Sequence, residues 1–164
     1  MRFAIQATID APRAAVEAAL ANRAYYEHLG DSLANLESPE LLEASVHGSS
    51  MTTRVRYAFA GHVSGPAAMV VDESKLTWVI ETHLDLERHE GTVVVVPDHY
   101  DGLLRCSGEL RLDEVDGTTT EHLTGDLDVS VPLIASKAEE AIIGGLTRHV
   151  ELEADALTRF LAGR

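Results

Sequence analysis

The sequence predicts an α+β fold, a curved antiparallel sheet of about seven strands covered by one long C-terminal helix. Two features predict it. Apolar and polar residues alternate with a period of two through most of residues 1–131, and short turn signals separate the alternating runs. A single helical stripe, Ala138, Ile142, Leu146, Val150, Ala154, Leu157 and Leu161, then occupies residues 135–161.

Phe3, Ile5, Ala7 and Ile9 alternate with Arg2, Gln6, Thr8 and Asp10, which makes the first element a half-buried strand. Pro12 suits a first helical position, and Val16, Ala19 and Leu20 follow at helical spacing until Asn22 interrupts. Tyr25, Tyr26 and Leu29 form a second short helix that stops at Gly30 and Asp31. Leu42, Ala44 and Val46, a turn at Gly48-Ser49-Ser50, and Thr53, Val55, Tyr57 and Phe59 read as a hairpin. Residues 66–72 fit either a helical turn or a loop.

From Leu76 onward, Leu76, Trp78, Ile80, Leu84 and Leu86 share one face, opposite Glu81, His83, Asp85, Glu87 and His89. Glu90-Gly91 turns into the β-branched run 92–96, and a turn at 97–102 leads to Leu104, Cys106, Gly108, Leu110 and Leu112 on one face. Asp116-Gly117 is a hairpin signal, after which Leu123, Leu127, Val129 and Val131 oppose His122, Asp126, Asp128 and Ser130 until Pro132 breaks the strand.

Short turns imply an antiparallel meander, and one apolar face per strand implies one packed side. The terminal helix, about 40 Å long at 1.5 Å per residue, has the length to cover that side. Its Gly144-Gly145 pair lowers helix propensity by about 1 kcal/mol per residue and removes bulk from the stripe. The pair is therefore expected to mark a cavity between helix and strands.

The chain has the length of one domain, 1–164, able to bury roughly two-thirds of its unfolded surface. It contains no apolar run long enough to span a bilayer and no charged-then-apolar leader at Met1. The single Cys106 excludes an intramolecular disulfide framework and fits a reducing compartment, so a soluble, cytoplasmic protein is expected. Thirteen Lys and Arg stand against 27 Asp and Glu, a net charge of -14 that opposes nucleic acid and anionic membrane surfaces as partners.

The eight histidines include no His-Glu-x-x-His pair, and there is no Cys-x-x-Cys, so no metal is expected. Nor is there a Gly-x-Ser-x-Gly elbow, a P-loop or a Gly-x-Gly-x-x-Gly, so no cofactor and no catalytic residue is assigned. His83, Asp85, Glu87 and His89 fall on the polar face as solvated charge. Cys106 faces the apolar side, where burial makes a thiol inert. His62, Arg105 and His122 are surface residues unless twist or a bulge turns them inward. The inward polar groups are the hydroxyls of Tyr57, Thr53 and Thr82.

A ligand-binding wall is expected from Tyr57, Phe59, Trp78, Ile80, Leu84, Leu104, Cys106, Leu110 and Leu127 on the strands. Ile142, Gly145, Leu146 and Val150 complete it from the helix. Ordinary core packing uses the same residue types.

The order strand, two short helices, antiparallel strands and long C-terminal helix resembles the helix-grip fold of the START-like, or SRPBCC, superfamily, which includes the birch-pollen-allergen proteins. The resemblance covers essentially the whole chain. The segments 123–134, Lys137-Ala-Glu-Glu-Ala-Ile and 151–161 are similar to an actinobacterial START-like family of unknown function. The resemblance implies binding or carrying of a lipid, polyketide or similar hydrophobic small molecule between sheet and helix. Some members are cyclases, dehydratases or hydrolases, which leaves an enzyme as the alternative. A third reading is an interaction module, such as a homodimer through the sheet's outer face or rim.

Overall fold

In the computed structural model, which describes residues 1–163, the alternating runs become strands of one sheet. The order along the chain is β1 (Arg2–Ile9), α1 (Arg13–Leu20), α2 (Arg23–Gly30), β2 (Glu40–His47), β3 (Ser50–Ala58), β4 (Thr77–Asp85), β5 (Glu90–Pro97), β6 (Leu104–Val115), β7 (Thr118–Val129) and α3 (Ala135–Leu161). The sheet order is β1-β7-β6-β5-β4-β3-β2, antiparallel throughout, so β1 is reached only by pairing back with β7. Between β3 and β4 lie two short 3-10 turns, Gly65–Met69 and Glu73–Lys75. No helix among the described residues is long and apolar enough to cross a membrane.

Local chemistry accounts for the boundaries. Asn22 caps α2 by accepting a hydrogen bond from the Ala24 N–H at 3.0 Å. Asp116 and Gly117 both take positive φ, the backbone that a two-residue hairpin between right-twisted strands requires. β7 stops at Val129 because the Ser130 N–H turns to the Leu103 carbonyl and Pro132 has no N–H to continue the ladder.

The core lies between the sheet and the helices. Phe3, Ile5, Ala7 and Ile9 all point into it from β1, and Val16, Tyr25 and Leu29 come from α1 and α2. The C-terminal half of α3 buries Val150, Ala154, Ala156 and Leu157 and packs mainly on β1, β7, α2 and α1. Ala138, Ile142 and Leu146 in its N-terminal half remain half-buried.

One expected strand face is buried at a different residue. Leu41 is buried while Leu42 and Val46 are exposed. The register against β3 shifts between Leu41 and Glu43, so Leu42 is the extra residue of a bulge, while Ala44 and Val46 pair with the inward-facing Thr53 and Met51. β2 is an edge strand, where such a bulge is tolerated and side chains lack a neighbour on one side.

The glycine pair of α3 is also placed differently from the expectation. Gly144 and Gly145 are exposed, and a Cβ on either would meet nothing within 4 Å. The close approaches are in the sheet, where Gly108 of β6 pairs with Gly125 of β7. A Cβ on Gly125 would stand 2.6 Å from the Phe3 ring and 2.8 Å from the Gly108 Cα. Opposite substitution effects follow. Gly125→Ala is expected to destabilise the fold by about 1–3 kcal/mol through overpacking. Gly144→Ala and Gly145→Ala are each expected to stabilise it by about 0.5–1 kcal/mol through helix propensity. Urea unfolding of the three variants checks this; a loss of stability in either helix variant would show that the pair faces protein after all.

Candidate functional site

A cavity of about 90 Å³ lies between the sheet and α3. Most of its wall is apolar, with Phe3 from β1, Val16 and Leu20 from α1, Val55 from β3, Leu110 from β6 and Val150 from α3. Set into that wall are Thr53, Tyr57, Thr82, Tyr26, Glu121, His149 and Glu153. Apolar walls with a few convergent polar groups are the usual construction of a small-molecule site.

Each polar side chain is aimed by the element that carries it. Glu121 sits in β7 in phase with the buried Thr119 and Leu123, opposite Ala7 of β1 and Leu112 of β6, so strand alternation turns its carboxyl inward. His149 and Glu153 are one helical turn apart on α3, beside the buried Val150 and Ala154. The His149 Nε2 is 3.8 Å from the Glu153 Oε2, too long for a hydrogen bond, and neither ring nitrogen of His149 has a partner. Tyr57 meets the His149 ring edge-on at 5.1 Å and stacks on Trp78 at 6.1 Å. Tyr26 donates to the Leu20 carbonyl at 2.7 Å, and Tyr25 donates to the Glu153 carbonyl at 3.4 Å, which ties α2 to α1 and α3.

Burial sets the protonation of this group. Loss of solvent, reinforced by the charge of Glu153, pushes the Glu121 carboxyl well above the usual carboxylate range, to about 8. Loss of solvent raises Glu153 to about 7. The same cause holds the His149 imidazole neutral, lowering it to about 4. The Tyr25, Tyr26 and Tyr57 hydroxyls are raised by burial and then by the nearby Glu153 charge. Two carboxyls that titrate near neutrality beside a neutral imidazole are able to donate or accept a proton. Among the described residues no three His, Cys, Asp or Glu side chains gather as a metal ion needs.

Of the residues expected to form the ligand wall, Tyr57, Ile80, Cys106, Leu110, Leu146 and Val150 line the cavity. Phe59, Trp78, Leu84, Leu104, Leu127, Ile142 and Gly145 do not. Leu84 and Leu127 are core residues, Trp78 lies behind Tyr57, Phe59 pairs with Leu36 beyond the end of β3, and Gly145 faces outward. Thr53 and Thr82 line the cavity, whereas His62, Arg105 and His122 do not; His122 is instead 3.1 Å from Asp113. Burial raises the Cys106 thiol. Glu121, His149 and Glu153 lie outside the expected wall, because apolar periodicity selects apolar side chains. The signal was present in the spacing: Glu121 continues the inward series Thr119, Glu121, Leu123, and His149 and Glu153 stand three residues after Leu146 and Val150.

The model of a protein family of unknown function, DUF2505, matches residues 4–161. No curated relative matches the chain. Among solved structures, TTHA0849 from Thermus thermophilus is similar with a TM-score of 0.66 and 18% identity, over 99% of this chain and 98% of that one. The Zhui aromatase/cyclase from Streptomyces is similar with a TM-score of 0.66 and 19% identity, over 100% and 94%. Norcoclaurine synthase from Thalictrum flavum is similar with a TM-score of 0.63 and 13% identity, over 100% and 87%. At these identities the likeness shows the fold, which is the helix-grip arrangement.

The buried carboxyls also predict how stability depends on pH. Below about pH 4.5 Glu121 and Glu153 are protonated in both folded and unfolded chains. As pH rises toward 8 the unfolded chain loses those protons first, so the folded state binds more protons and stability falls. His149 acts in the opposite sense at lower pH, its contribution being lost as pH falls from 6.5 to about 4. The interval from about pH 6.5 to 8 therefore isolates the carboxyls. Across it Glu121→Gln is expected to lose about 1–2 kcal/mol less stability than the parent chain. Urea unfolding at successive pH values measures the difference, and parallel curves would mean that Glu121 ionises like a surface carboxylate.

Proposed function

The chain belongs to the DUF2505 family, and from that premise we propose that it binds or carries a hydrophobic small molecule between its sheet and C-terminal helix. The observation that carries this reading is the cavity itself, apolar in most of its wall and furnished with a few polar groups that fix orientation. Its fold is shared with an aromatase/cyclase and with norcoclaurine synthase. At about 90 Å³ the cavity is smaller than the roughly 150 Å³ that admits benzene. A larger ligand places one end inside it, and Trp78, Leu104 and Ile142, half-buried against the same core, supply the outer wall.

A second reading is favoured by one observation, the convergence of Glu121, His149, Glu153 and Tyr57 on the same cavity. In that reading the chain is an enzyme of the cyclase or dehydratase kind. One carboxyl, protonated, serves as general acid and its partner as general base.

Native mass spectrometry of the purified chain is expected to find an apolar molecule bound. Leu146→Trp fills the cavity from the helix side and is expected to reduce that occupancy, and the uptake of an apolar fluorescent probe, by at least about tenfold. Leu133→Trp, at a fully exposed position, is expected to leave both unchanged. Equal uptake by a folded Leu146→Trp variant would remove the cavity as the binding site. Conversion of the bound molecule by the parent chain but not by Glu153→Gln would establish the enzymatic reading.

A further inference from the structure

Resting on the reading that the cavity holds a small apolar molecule, we propose that its ligand is an amine, whose ammonium group sits between the carboxylates of Glu121 and Glu153. Both side chains face the cavity, yet no Lys or Arg lines it. Among the described residues Glu121 forms no ion pair, and Glu153 has only the His149 imidazole nearby, at 3.8 Å. When ionised, the two carboxyls have no counter-charge in the cavity wall.

The third group points the same way. The His149 side chain is 12% exposed and lines the cavity, and both of its ring nitrogens are withdrawn from solvent without a partner. A neutral imidazole has one acceptor nitrogen. The carboxylates are the acceptors that the N–H donors of an ammonium group seek, and the imidazole nitrogen is a further acceptor in the same wall. The rings of Tyr57 and Tyr26 in the same wall offer cation-binding faces as well.

The surroundings add no competing cation. The other titratable groups facing the pair are the hydroxyls of Tyr25 and Tyr26 from α2 and Tyr57 from β3, and the Cys106 thiol from β6, all neutral near pH 7. The faces that β1, β4, β5 and α1 turn to the cavity carry no charge. Glu17 of α1 is engaged outside it, 2.7 Å from the His89 Nδ1. An anionic ligand would meet two carboxyls and no positive group, so fatty-acid and phosphate head groups are disfavoured. The empty pair retains protons near neutrality, and an arriving ammonium stabilises the ionised form, so binding expels a proton from the pair to solvent.

Calorimetry of the full chain at pH 7.5, in two buffers of different ionisation enthalpy, tests this with benzylamine and n-butylamine against benzyl alcohol and n-butanol as neutral isosteres. The amines are expected to bind at least about tenfold tighter than the alcohols, the size of one charge-assisted hydrogen bond, and to release protons on binding. Glu121→Gln combined with Glu153→Gln, which keeps side-chain shape, is expected to bring the amines to the level of the alcohols. Alcohols binding as tightly as amines, amine binding without proton release, or an amine preference that survives in a folded double variant would each overturn the proposal. Proton release is measured on the parent chain and stands even where the variant does not fold. Uptake of an apolar fluorescent dye separates the two readings. Dye uptake without amine preference overturns the amine alone, and failure of dye, amines and alcohols together overturns small-molecule binding as well.

Discussion

The rest of the structure depends on the burial of the C-terminal half of α3 against β1 and β7. Val150, Ala154, Ala156 and Leu157 are withdrawn from solvent there, and the small alanines let the helix approach the strands closely. Because β1 is joined to the sheet only through β7, the helix also clamps the first strand and its two small helices onto the last strand. The N-terminal half of the helix lacks this contact and stays half-buried. The cavity lies under the middle and the anchored turns of the helix, where Leu146, His149, Val150, Glu153 and Leu157 line it.

The anchoring contact also explains why polar groups enter the interior. His149 and Glu153 alternate with Val150 and Ala154 along the helix, so burying the apolar pair carries the polar pair to the edge of the cavity. Glu121 is brought in by the same logic from the strand side, between Ala7 and Leu112. Burying these groups without partners costs stability, and no packing requirement asks for them, since Leu or Gln would satisfy the same periodicity. Residues that oppose stability where a hydrophobe would serve are characteristic of sites kept for binding or chemistry.

Room for the cavity comes from the sheet. Gly108 lines it, and Gly125 lies beside Gly108 on the neighbouring strand with the Phe3 ring against it. Side chains at these two positions would occupy the closest approach of three strands. The more conspicuous Gly144-Gly145 pair, in the middle of the helix, faces away from protein. Glycine in a helix is informative only once the direction of its absent side chain is known, and a stripe drawn through its neighbours does not supply it.

Most of the architecture was legible in the sequence. The bounds of α3, the break between the two short helices at Asn22, the turn at Asp116-Gly117 and the inward faces of β1, β3 and β6 follow from local rules, because periodicity and turn chemistry act over a few residues. The bulge at Leu41–Glu43 was not legible, since pairing register is settled between strands. Tyr57, Ile80, Cys106, Leu110, Leu146 and Val150 were marked by apolar periodicity, which serves a cavity and a filled core alike. Glu121, His149 and Glu153 had the right spacing and the wrong polarity, and only their placement turns three solvent-loving side chains into one buried group. The sequence by itself determined which faces are apolar and in what order the elements come, because those properties belong to single segments. Only the tertiary structure decided where the space lies and which charges share it, because desolvation and mutual repulsion exist only once β7 and α3 have been brought together.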